Sequence, residues 1–118
     1  MISMREAYEK IGANYEDACA RLMGEEMLSR FALKFLDDES MDKLEAAMAA
    51  GDAEGAFMAA HTLKGVSQNL GFDNLYEPAV VVTEALRGAD AFDGAREGMH
   101  ALQQQYAATM SALREAAE

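Results

Sequence analysis

The sequence predicts an all-α fold: an antiparallel up-down four-helix bundle with short N-terminal helices packed over it as a lid. Three observations lead there. The composition is rich in Ala, Leu, Met and Glu, with one proline and few β-branched residues outside Val80 to Val82, so helix propensity is high nearly throughout. Apolar residues recur at three-to-four spacing in four long segments. Glycines and capping residues leave connections of only a few residues between them, which favours antiparallel neighbours. With 118 residues the chain is expected to form one domain around one core.

Residues 1–23 are read as two short helices. Ser3 and Glu6 have capping-box spacing and Gly12 ends the first; Asn14 caps the second, which runs through Ala18 and Leu22 to a close at Gly24. Cys19, the only cysteine, is read as a small buried apolar residue. Over 25–50, Leu28, Phe31, Ala32, Phe35 and Leu36 form one stripe and Met41, Leu44 and Met48 resume it out of phase beyond Asp37-Asp38-Glu39. That slip predicts either one helix bent near Asp38 to Ser40 or two in tandem. Asp52 caps a helix over 52–70 that stops at Gly71. The 73–87 helix carries Leu75, Ala79, Val82 and Leu86 and closes at Gly88, with Pro78 expected to distort its first turn. The last helix, 90–116, is capped by Asp90 and striped by Phe92, Ala95, Met99, Leu102, Tyr106, Met110 and Leu113.

A net charge of -11 without a Lys/Arg cluster argues against nucleic acid and anionic membrane as partners. No segment reaches the roughly 20 apolar residues of a bilayer span, and the N-terminus lacks a signal-peptide pattern, so a cytoplasmic monomer is expected. One cysteine excludes an internal disulfide and a zinc site of four cysteines or of two cysteines with two histidines. Glu97-x-x-His100 imitates half of a di-iron motif, but Met58 stands three before His61 where the second glutamate belongs. No metal or cofactor is expected, and His100 is read as a boundary or surface residue. No Gly-rich nucleotide loop is present to hold ATP.

The 52–70 helix carries the chemistry. At 100° per residue, Ala56, Ala59, Ala60, Leu63, Val66, Ser67 and Leu70 share one side, the core side. His61, Lys64, Gly65 and Gln68 lie opposite, and Phe57 and Met58 share the histidine's side, with the N-terminal helices a possible cover for Phe57. An exposed neutral imidazole is a good nucleophile toward a phosphoryl group, and the Lys64 ammonium offsets charge on the product. Gly65 costs about 1 kcal/mol against alanine in a helix interior, so something must approach the backbone there. Gln68 offers a donor and an acceptor at the edge of the patch.

The run Ala60-His61-Thr62-Leu63-Lys64-Gly65, followed by Asn69-Leu70-Gly71, resembles the signature of histidine phosphotransfer domains, with a second glycine ten positions after the histidine. The resemblance extends over almost the whole chain, from Tyr15-Glu16-Asp17-Ala18 to the Leu75, Val82, Leu86 helix. It implies a four-helix bundle that takes a phosphoryl group on His61 from a receiver-domain aspartyl phosphate, or from a sensor histidine kinase, and passes it to another receiver. Lys64 would assist, Gly65 would make room, and Mg²⁺ would belong to the partner receiver. The family's polar residue on the following helix, which meets the second imidazole nitrogen, aligns with Thr83, where the commoner residue is glutamine. Phe57 and Met58 are the candidates for docking the receiver. Such a domain is a carrier, not an enzyme. Two other readings stay open: an unphosphorylated module that binds receivers, and a phosphoacceptor domain cut from a hybrid or chemotaxis-type kinase.

Overall fold

A computed structural model describes residues 1–88 and 91–117, and every described element is helical. The helices are α1 (Met4–Ile11), α2 (Tyr15–Leu22), α3 (Glu25–Lys34), α4 (Ser40–Ala49), α5 (Ala53–Asn69), α6 (Asp73–Ala85) and α7 (Ala91–Ala117). The expected cap at Asp90 lies outside the described residues. Helices adjacent in sequence pack together from α4 to α7, and α1 packs on α7.

The expected capping chemistry is present at three helix starts. Ser3 and Glu6 form a reciprocal capping box, the Asn14 side chain accepts from the Asp17 N–H, and Asp52 accepts from the Gly55 N–H at 2.9 Å. One helix end differs: Met23, not Gly24, takes the left-handed position after α2 (φ 64°), and Gly24 opens α3 instead. α6 runs through Pro78, with Leu75 N–H and Tyr76 N–H both donating to the Phe72 carbonyl at its start.

The 25–50 segment is two helices in tandem, split by a 3₁₀ turn over Phe35–Asp37. Asp38 holds the break. Its carboxylate accepts from the Ser40 N–H (3.1 Å), the Ser40 hydroxyl (2.6 Å) and the Tyr106 hydroxyl of α7 (2.7 Å). Burial, and then the bond to Asp38, push the Tyr106 phenol above its usual pKa.

The buried apolar face of α5 (Ala56, Ala59, Ala60, Leu63) meets α4 and α6, while Val66, expected in the core, is only half-buried. Cys19 likewise is only half-buried, packed at the edge of the core. Aromatic rings connect the N-terminal helices to the rest. Tyr15, Tyr8, Phe72, Phe35 and Tyr106 follow one another at centroid separations of 5.5, 5.2, 5.3 and 5.7 Å, in edge or tilted arrangements that suit the ring quadrupole.

Gly71 shows why the second glycine is needed. It has φ +70°, and a Cβ there would stand 2.6 Å from the Asn14 carbonyl oxygen and 3.0 Å from the Ala18 Cβ. Gly71→Ala combines left-handed strain with a backbone clash and is expected to cost about 2 kcal/mol. A lowered urea midpoint checks this; an unchanged midpoint would mean that the N-terminal helices move aside freely.

Candidate functional site

His61 stands near the middle of α5 with its side chain exposed, opposite the alanine face that anchors the helix. Gly65 and Gln68 are exposed beside it and Lys64 is half-buried. Among the described residues Lys64 makes no ion pair, whereas six other cations are paired with carboxylates. Nothing lies within 4 Å of where a Gly65 Cβ would be, so the space above this glycine is open. Gln68 holds its end of the helix through its backbone: its carbonyl accepts from Arg21 Nη1 at 3.1 Å.

The two sides of the histidine differ. Toward α3 and α4 are two open grooves. One of about 520 Å³ runs from Phe31, Phe35 and Lys34 to Gly65, Val66 and Leu70. The other, about 400 Å³, is bordered by Asp37, Asp38, Glu39, Met58 and Thr62. Met58 is 57% exposed and Phe31 38%. Toward α6, the Phe57 ring lies nearly parallel to the imidazole, with 5.9 Å between centroids and 15° between planes. Arg87, just past the end of α6, sets its guanidinium carbon 4.8 Å from the centre of the Phe57 ring. Phe57 is half-buried, and Arg87 covers its ring, a contact the sequence did not suggest.

Thr83 departs from its expected role. It is fully buried, and its hydroxyl donates to the Ala79 carbonyl one turn back at 2.7 Å. A helical threonine is buried comfortably in this way, because its own backbone takes the hydroxyl hydrogen. No hydrogen bond joins it to His61. Arg87 was not singled out from sequence; a cation near a helix C-terminus is common, and its place over Phe57 depends on how α5 and α6 pack. His100 is exposed, as expected, beside a separate groove with Glu45, Met48 and Arg96.

A family model described as Hpt domain matches residues 26–116. The chain belongs to the Hpt domain family. No curated protein and no solved structure gives a significant match. Hpt domains are phosphocarrier modules of two-component systems, acting by histidine phosphotransfer with receiver domains and kinases. In this Hpt domain no described helix is long and apolar enough to cross a membrane. Among its described residues no group of three or more His, Cys, Asp or Glu is gathered to hold a metal ion.

Proposed function

We propose that this Hpt domain is a phosphorelay intermediate that accepts a phosphoryl group on His61 from a receiver aspartyl phosphate, or from a sensor kinase, and donates it to another receiver. The observation that carries the reading is the exposed His61 imidazole beside an unobstructed Gly65 on a helix fixed by its opposite face. The fold goes with it: α3 with α4, then α5, α6 and α7, act as an antiparallel four-helix bundle under a lid of α1 and α2.

The step balances simply. A ring nitrogen lone pair attacks phosphorus, the N–P bond forms, and the P–O bond to the aspartate breaks, with the carboxylate leaving with the electron pair. The other ring nitrogen keeps its proton, so the ring becomes cationic while the phosphoryl oxygens stay anionic. The unpaired Lys64 ammonium supplies counter-charge to those oxygens, and Gln68 lies farther along the same face as a polar contact for the incoming domain. Such transfers rest on positioning and charge neutralisation, and the Mg²⁺ that serves them belongs to the receiver.

The test is incubation with a panel of phosphorylated receiver domains. Label is expected on the chain in acid-labile, alkali-stable form, as for a phosphoramidate, and then on a second receiver. Receiver binding without any transfer of label would instead support the unphosphorylated interaction module. Docking is assigned to exposed apolar atoms around the histidine, with Met58 at their centre. Met58→Glu is expected to raise the half-saturating receiver concentration about tenfold, or roughly 1.4 kcal/mol, with helicity unchanged. Unchanged transfer would remove Met58 from the interface.

A further inference from the structure

An exposed imidazole on a helix turns about two side-chain torsions in picoseconds to nanoseconds. In-line transfer, by contrast, needs the reacting atoms within about 3–3.5 Å and aligned. Something must therefore hold the His61 ring. A side chain on the neighbouring helix bonded to its second nitrogen would do so, but the Thr83 hydroxyl is buried and given to Ala79.

What the ring does meet is Phe57, one turn earlier on α5. Helical side chains lean toward the N-terminus, so residue 61 naturally falls over residue 57. The 15° angle and 5.9 Å separation make this an offset stack, not an edge contact. Phe57 is itself held from the neighbouring helix. The Arg87 guanidinium lies on its ring at 4.8 Å and is tied by Nε to Glu84 Oε1 at 3.2 Å.

We propose that Phe57 is a positioning residue for phosphotransfer: by stacking, it fixes the plane of the His61 imidazole. This rests on His61 being the phosphoryl acceptor. The lone pair of the attacking nitrogen lies in the ring plane, so fixing the plane fixes the line along which phosphorus must approach. Stacking holds the ring by a face and leaves the nitrogens, which are on its edge, accessible. The π-face of Phe57 also tolerates the positive charge that the ring gains on transfer. Phe57 thus acts through His61, and Met58 remains as the docking contact.

Proton NMR of the two histidines gives a readout independent of activity, since the exposed His100 serves as an internal reference. The His61 ring protons are expected upfield of those of His100. Phe57→Leu should bring them back to the His100 position, and Phe57→Tyr should keep them displaced. With a receiver domain charged by acetyl phosphate, single-turnover transfer at saturating receiver should fall about tenfold in Phe57→Leu, with its half-saturating concentration unchanged, and be restored in Phe57→Tyr. Undisplaced His61 protons, an unchanged saturating rate, or an effect confined to the half-saturating concentration would each overturn the proposal; the last would return Phe57 to docking. Phosphoramidate, a small donor that needs no docking, separates this from the underlying reading. If it and the receiver both leave wild-type His61 unlabelled, phosphotransfer itself fails while the NMR shift still reports the stack.

Discussion

Replacing His61 with glutamine will leave a folded protein that takes no phosphoryl group. The amide nitrogen of glutamine has its lone pair delocalised into the carbonyl and is not a nucleophile at neutral pH, so no slower version of the same reaction remains. Folding should not suffer. The His61 side chain is exposed, it contributes nothing to the buried face of α5, and glutamine is a good helix former. Label transferred from a phosphorylated receiver should fall below detection with the circular dichroism spectrum preserved. His100→Gln, at the other exposed histidine, should label like the wild type. A labelled His61→Gln protein would place the acceptor elsewhere in the chain.

At Gly65, stability and transfer are expected to move in opposite directions. An added methyl meets nothing within 4 Å, so Gly65→Ala removes the glycine penalty of about 1 kcal/mol and should raise the melting temperature by about 4 °C. A longer side chain has a different consequence. Residue 65 is one turn beyond His61 on the same face, and helical side chains lean back toward the N-terminus. The side chain of Gly65→Gln would lie across the approach to the imidazole. Because small displacements from in-line geometry are costly, transfer should slow about a hundredfold while helicity is kept. Thermal denaturation and single-turnover transfer are the measurements. Unimpeded transfer by the glutamine variant would end the steric account.

The helices and the histidine patch were legible because both follow from local sequence. The 3.6-residue period marks which side of α5 is buried, and three helix starts announce themselves through Ser3, Asn14 and Asp52. Lys64 and Gly65 share the face of His61 by helical spacing alone, and the Hpt motif joins them to Gly71. Thr83 was read as the partner of the second imidazole nitrogen because the family aligns a polar residue there, but its hydroxyl bonds Ala79 instead. The position of Thr83 argued for burial: it stands four residues after Ala79 and three before Leu86, both buried. The Phe57 and Arg87 contact was out of reach, since it joins two helices through their packing and has no local spacing. The tandem arrangement of α3 and α4 was half legible. The phase slip was visible, but the bond from Tyr106 to Asp38 that holds the break comes from 68 residues away.

The packing of α1 on α7 sets an order of events during synthesis. Lys10 pairs with Glu115, 105 residues later, an interval of roughly 5–20 s at the usual pace of translation, about 5–20 residues per second. An eight-residue helix is marginal alone in water, and α1 is made well before the α7 residues it packs on. α1 and α2 also serve the end of the histidine helix. The carbonyls of Gln68, Leu70 and Gly71 receive their hydrogen bonds from Arg21, Tyr8 and Asn14. A nascent chain that has not yet released α7 therefore carries its histidine helix complete in sequence, while α1, the source of the Tyr8 bond to Leu70, is not yet seated on α7.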